Sequence, residues 1–140
     1  MGVIGYCFGG AFALLLAARP GYAAAAVNYG QLPRNLDEVL AGSCPMVASY
    51  GRKDTTLKGA AAKVKRGLDL AGVDSDVREY PNGRHGFINR LAVASPLTVL
   101  LKVGGVGYDH DSAADAKRRI LEFFDHHLRV GQPRLSKTAP

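Results

Sequence analysis

The opening residues constrain this chain more than any other stretch. Val3-Ile4-Gly5-Tyr6 is a short apolar run that ends at Cys7, and Phe8-Gly9-Gly10-Ala11 leads at once into an alanine- and leucine-rich segment. Glycine stands two positions before the cysteine and two positions after it. This pattern puts a nucleophile on a sharp strand-to-helix turn, with cysteine in the position serine usually holds. The glycines answer a steric demand, because the two arms of such a turn pass too closely for larger side chains. The turn lifts the sulfur above the sheet and aims the first helical amides where negative charge develops in acyl transfer. A helix N-terminus also favours the thiolate, the form that attacks. Free cysteine often only fills space in a core, and short glycine patterns recur by chance, so the rest of the chain decides between the two.

Residues 2–6 read as a buried strand, and residues 9–18 as a helix apolar enough to need cover on most sides, stopped by Arg19-Pro20-Gly21. A second strand of small side chains runs from Ala23 to Tyr29, followed by a turn at Gly30 to Pro33. A short helix with Asn35 as N-cap extends to Leu40, and Pro45 to Tyr50 forms a third strand. Leu57, Ala61, Val64, Leu68 and Ala71 recur at helical spacing over residues 57–71, closed by Gly72. Asp76 to Tyr80 is a fourth strand, and the loop after it holds Pro81, Gly83, His85 and Gly86. The last helix is expected from Ser112, with Asp115 completing a capping box. Its inner stripe is Ala113, Ala116, Ile120, Phe123 and Phe124, and it ends before Gly131. Residues 89–108, broken by Pro96 and Gly104-Gly105, read as a surface excursion near the site, of the kind that serves as a lid or binding loop. Residues 1–131 form one domain and residues 132–140 a loose tail. Strands alternating with helices predict an α/β fold, a mostly parallel sheet of about four strands with right-handed crossovers and flanking helices.

In open parallel sheets, ligands bind beyond the carboxyl ends of the strands. Cys7, Asp54 and His85 each fall just past such an end, in the order nucleophile, acid, histidine that α/β-hydrolases follow. A set of this kind carries out acyl transfer. The thiolate of Cys7 attacks a carbonyl, His85 moves a proton to the leaving group, and Asp54 orients the imidazole and stabilises its charged form. The backbone N–H of Phe8 is one donor to the developing oxyanion. Each partner also has a plainer use: Asp54 could cap a helix starting near Thr56, and His85 could be an ordinary surface histidine. The remaining histidines carry less. His126 and His127 lie at a helix C-terminus, where positive character is favourable without any function. His110, in Asp109-His110-Asp111, resembles a metal ligand, but consecutive residues point apart, and no metal is expected. Cys44, ahead of Pro45, belongs to the core or a strand edge.

A length of 140 residues bounds the chain to a single core. The net charge of +6 raises the question of nucleic acid, yet the basic residues are dispersed among acids on outer helix faces. No aromatic-interleaved basic stripe accompanies them, so no nucleic-acid partner is expected. No apolar run approaches the ~18 residues of a membrane helix, the first residues lack a signal-peptide pattern, and a cytoplasmic location is the default. Cys7 and Cys44 have neither metal-ligand nor C-x-x-C spacing.

With these residues in view, the chain resembles the dienelactone hydrolases, small α/β-hydrolases also called carboxymethylenebutenolidases. The resemblance runs through Gly2-Val3-Ile4-Gly5-Tyr6-Cys7-Phe8-Gly9-Gly10, Gly51-Arg52-Lys53-Asp54 and Tyr80-Pro81-Asn82-Gly83-Arg84-His85-Gly86-Phe87. It continues in the final helix through Phe123-Phe124-Asp125-His126-His127-Leu128. It implies hydrolysis of an ester or lactone, dienelactone above all, through Cys7, His85 and Asp54 and a thioester acyl-enzyme, with no metal or organic cofactor. It also implies an arginine four residues after the histidine, to grip a substrate carboxylate. Asn89 stands there instead, with Arg90 next to it, so Arg90 is the candidate substrate-binding residue.

The resemblance further implies a long segment ahead of the elbow, bearing the first strands, a glutamate that helps control the cysteine, and the second oxyanion donor. Only six residues precede Cys7 here. The fold expected is therefore an incomplete α/β-hydrolase, the carboxyl-terminal part with the N-terminal strands missing. Its nucleophile strand should have a bare edge, and the chain alone should be marginal, prone to self-association through that edge, and weakly active. Against the hydrolase stands a non-catalytic half-domain that acts only with a partner chain or the missing segment. A thiol redox role is disfavoured because no second cysteine lies near Cys7 in sequence.

Overall fold

A computed structural model describes residues 1–90 and 106–129 of the chain. Strands β1 (Gly2–Tyr6), β2 (Ala24–Asn28), β3 (Met46–Gly51) and β4 (Ser75–Tyr80) form one parallel sheet in the order β1-β2-β3-β4. Gly5 lies opposite Val27, Val27 opposite Ala48, and Ala48 opposite Val77. Because strand order follows chain order, right-handed crossovers lay every connecting helix on the same face. These helices are α1 (Phe8–Ala17), α2 (Leu36–Ala41) and α3 (Ala60–Ala71). The last helix, α4 (His110–Leu128), covers the opposite face.

The period of two along each strand divides the core between the two faces. Ala25, Val27, Met46 and Ala48 join Leu14, Val64 and Leu68 in the larger cluster, while Ala26 and Val47 meet Ile120 of α4. Both middle strands are buried at every residue, as parallel strands covered on both faces must be. β1 differs. It is the terminal strand, Ile4 is 45% exposed, and Phe8, Phe12 and Leu15 of the following helix are exposed as well.

Several boundaries depart from the sequence expectation for local reasons. The helix expected from residue 57 begins at Ala60. Thr55–Leu57 forms a separate 3-10 turn, and Gly59, at φ 76°, breaks the chain between the two. Asn35 does precede α2, but its side chain donates to Glu38 Oε2 at 3.2 Å and makes no cap. The capping box expected of Ser112 and Asp115 does not form. α4 starts at His110 behind Asp109, whose carboxylate accepts from the Ser112 N–H at 3.1 Å. Asp115 is drawn outward by Arg78 at 2.7 Å, Arg118 at 2.6 Å and the Tyr80 hydroxyl at 2.9 Å. Burial pushes the Asp115 pKa up, and these donors overcome it, leaving the carboxyl at about 2. The helix ends at Leu128, and the excursion at 91–105 and the tail lie outside the described residues.

One feature of α4 has no counterpart in the sequence reading. Arg119 is only 3% exposed and sits beside the apolar stripe. Its Nε donates to Asp76 Oδ2 at 2.7 Å, its Nη2 to the Asp76 carbonyl at 2.7 Å, and its Nη1 to the Tyr80 hydroxyl at 2.9 Å and Ser49 Oγ at 3.3 Å. Burial disfavours the charge, but the bonds to Asp76 and Tyr80 outweigh it and raise the guanidinium pKa. The side chain therefore pins α4 to β3 and β4 at once. Arg119→Ala is expected to lower stability by about 3 kcal/mol, because it leaves buried acceptors without donors. Urea denaturation checks this through the shift in midpoint; a shift of less than a fifth of the expected size would show that α4 docks by apolar contact alone.

Candidate active site

The residues that meet at the carboxyl rim are carried by three separate strand exits. Cys7 joins β1 to α1 with φ 54° and ψ −119°, a conformation that costs a non-glycine residue about 1–3 kcal/mol and is held by its surroundings. The Cys7 N–H donates to the Asn28 carbonyl at 3.0 Å, and the Gly10 N–H donates to the Cys7 carbonyl at 2.9 Å. A Cβ on Gly5 would stand 1.9 Å from the Gly9 carbonyl oxygen, so the strand and the first turn of the helix touch backbone to backbone. Cys7 is left exposed at the tip.

Asp54 follows β3 and is 2% exposed. The chain before it is zipped to the segment leaving β4, with Arg52 N–H on the Tyr80 carbonyl and Lys53 N–H on the Gly83 carbonyl, both at 2.9 Å. A Cβ on Gly51 would meet the Gly83 oxygen at 2.4 Å, which is why this junction too needs glycine. Asp54 Oδ1 accepts from the Thr56 N–H at 3.0 Å and from its hydroxyl at 2.6 Å, while Oδ2 faces His85 Nδ1 at 2.6 Å. Asp54 thus caps the 3-10 turn with one oxygen and meets the His85 ring with the other.

His85 is held by chain on both sides. It bridges to Val106, the Gly107 N–H donates to its carbonyl at 3.2 Å, and the Asp109 N–H donates to the Phe87 carbonyl at 3.1 Å. Its Nε2 lies 3.0 Å from Cys7 Sγ, and its side chain is 25% exposed. With the Nδ1 proton directed at the Asp54 carboxylate, Nε2 is free to accept from the thiol. The structure thus brings Cys7, His85 and Asp54 into one hydrogen-bonded line.

Tyr29 is a member of the site that sequence reasoning passed over. It follows β2 at φ 39°, is 1% exposed, and packs edge-on to the His85 ring at 5.4 Å and to Phe87 at 5.6 Å. Its hydroxyl has no partner among the described residues. Burial, reinforced by Tyr6 and Cys7, raises the phenol well above its ordinary pKa, so the ring stays neutral beside the imidazole. The available signal was positional: an aromatic at the exit of β2, the strand between β1 and β3.

Phe8 opens α1, where a backbone N–H has no helical acceptor. Arg90 lies over the Tyr108 ring at 4.7 Å, on the exposed segment that follows the His85 loop. Cys44 sits at the amino end of β3, across the sheet from Cys7, and burial raises its thiol pKa. His110 is exposed beside Asp111. Among the described residues, the side chains that could jointly hold a metal are Asp74, His126 and His127, away from this rim. No described helix is long and apolar enough to cross a membrane.

Residues 1–128 match the model of the dienelactone hydrolase family. The chain belongs to that family. It is 30% identical over 138 residues to a Yersinia pestis protein provisionally named carboxymethylenebutenolidase, and 29% identical over 142 residues to the carboxymethylenebutenolidase of Rhodococcus opacus. The alignments take in 91% and 93% of this chain but 47% and 51% of the relatives, so the chain spans about half their length. The crystal structure of a Klebsiella pneumoniae protein provisionally named dienelactone hydrolase superposes with a TM-score of 0.70 at 24% identity. It too is covered for 51% of its length by 89% of this chain. An alpha/beta hydrolase from a deep-sea metagenome library of the Medee basin gives 0.66 at 17% identity. The fold is an incomplete α/β-hydrolase, four parallel strands with flanking helices.

The Gly5 contact is the most direct test of the elbow. Gly5→Ala should destabilise the chain by about 3 kcal/mol, since the methyl meets backbone that cannot rotate away. Denaturant midpoints measure it; an unchanged midpoint would mean that the strand and helix are not in contact at this turn.

Proposed function

We propose that this chain carries the catalytic side chains of an ester or lactone hydrolase, with Cys7 as nucleophile, His85 as acid–base and Asp54 as the orienting carboxylate. The observation that supports it is the unbroken line from Asp54 Oδ2 to His85 Nδ1 at 2.6 Å and from His85 Nε2 to Cys7 Sγ at 3.0 Å. In the first step the thiol proton passes to Nε2 as sulfur bonds to the substrate carbonyl carbon, and the carbonyl oxygen takes up the negative charge. The Phe8 N–H, at the start of α1, is the donor proposed for that oxygen. Collapse breaks the ester C–O bond, Nε2 returns its proton to the departing alcohol, and a thioester remains. Water then attacks the thioester with Nε2 accepting its proton, the C–S bond breaks as Nε2 passes that proton to the Cys7 sulfur, and the acid leaves. Asp54 keeps Nδ1–H in place throughout and stabilises the imidazolium between steps. Arg90, close to the His85 loop, is the cation proposed to meet a carboxylate on the substrate.

A second reading is favoured by a different observation, a β1 edge that no other described strand pairs, with Ile4, Phe8 and Phe12 exposed beside the nucleophile. In this reading the half-domain works only when another chain or segment pairs with β1, and self-association through the edge is one form of that. A single oxyanion donor would leave turnover about a hundredfold to a thousandfold below that of a complete site. Hydrolysis of p-nitrophenyl acetate separates the two readings. The chain is expected to exceed its Cys7→Ala and His85→Gln variants at least tenfold. Equal rates for all three, with the fold intact by circular dichroism, would support the half-domain that needs a partner.

A further inference from the structure

We propose that Asp74, His126 and His127 form a peripheral site for a borderline divalent transition metal such as Zn²⁺, Co²⁺ or Ni²⁺, tying the end of α4 to the entrance of β4. One ligand atom from each of the three residues lies within 4.8 Å of the other two. His127 Nε2 is 3.2 Å from Asp74 Oδ2, already the separation that two ligands of one tetrahedral ion show when each lies about 2.0–2.2 Å from the metal. The rings of His126 and His127 stand nearly perpendicular, at 88° with centroids 4.8 Å apart.

The setting is firmer than an exposed cluster of charges. His127 is 14% exposed and lies against Phe123 at 4.3 Å. Asp74 has its carboxylate in solvent but its backbone fixed, because its carbonyl accepts from the Met46 N–H at 3.0 Å at the start of β3. An ion pair between Asp74 and His127 would need only one imidazole. A second imidazole within reach of the same carboxylate adds repulsion if both rings are charged, and adds a donor if both are neutral. Two imidazoles and one carboxylate suit Zn²⁺ and its neighbours, not Mg²⁺ or Ca²⁺, which require more oxygen ligands. His126, within 4.8 Å of the other two ligands at an exposed helix end, completes a tetrahedral set with water through a side-chain rotation.

The site sits at the amino end of the sheet, since Asp74 immediately precedes β4, whereas Cys7 follows the carboxyl end of β1. Its role is therefore to clamp the helix that covers β2 and β3. The test uses untagged chain carrying Cys7→Ala, which removes the Cys7–His85 pair as a competing ligand set. Zn²⁺ titrated by calorimetry and Co²⁺ followed by its visible spectrum should each show one saturable equivalent, and Zn²⁺ should raise Tm. Asp74→Asn, His126→Gln and His127→Asn, each added to that background, should weaken binding about tenfold or more and abolish the rise in Tm. Circular dichroism confirms that each variant is folded. No saturable equivalent overturns the proposal, and so does affinity that survives Asp74→Asn or His126→Gln.

Discussion

Backbone touching backbone at the carboxyl ends of the strands is the constraint from which the rest of this structure follows. At the β1–α1 turn the strand meets the first helical carbonyl so closely that a methyl group on Gly5 would lie 1.9 Å from an oxygen. At the exits of β3 and β4, a methyl group on Gly51 would lie 2.4 Å from the Gly83 oxygen. These approaches converge the strand exits on one rim. A sulfur, an imidazole and a carboxylate from distant parts of the chain can then sit within single hydrogen bonds of each other. The strained φ at Cys7 is the local cost of that geometry, and the packing of α1 against β1 and β2 sustains it.

How much of this was legible in the sequence depended on the range of the interaction. The four strands, their parallel order and the three rim residues could be read because each rests on a local signal: an apolar run, a glycine turn, a reactive side chain just after a strand. Arg119 could not be read that way. On a helix its charge looks like part of a solvated face, and its partner Asp76 comes from a strand 43 residues earlier. Tyr29 was missed for the same reason, since only the fold brings its ring against His85. The caps misled in the opposite direction. Asn35 and Asp115 have the right side chains in the right places, and Glu38 in one case and Arg78, Arg118 and Tyr80 in the other draw them away.

The sheet is asymmetric in a way that bears on activity. β2 and β3 are covered on both faces, whereas β1, which carries the nucleophile, ends the sheet with Ile4 and the start of α1 exposed. In a complete α/β-hydrolase the nucleophile strand lies inside the sheet, and a second loop supplies another oxyanion donor. The chain spans about half the length of the curated relatives it matches, and among the described strands β1 pairs only with β2. Among the described residues, Cys7, His85 and Asp54 lie within single hydrogen bonds of one another beside this exposed edge.

The central claim is that Asp54, His85 and Cys7 form one hydrogen-bonded line in this chain as it stands. Proton NMR of the His85 ring tests it most directly, on protein labelled with ¹⁵N at histidine. A short Nδ1–H bond to a buried carboxylate should give a strongly downfield proton that disappears in Asp54→Asn, and the Nε2 shift should respond to Cys7→Ala. A well-dispersed backbone spectrum with no such proton at any pH from 5 to 8 would contradict the account.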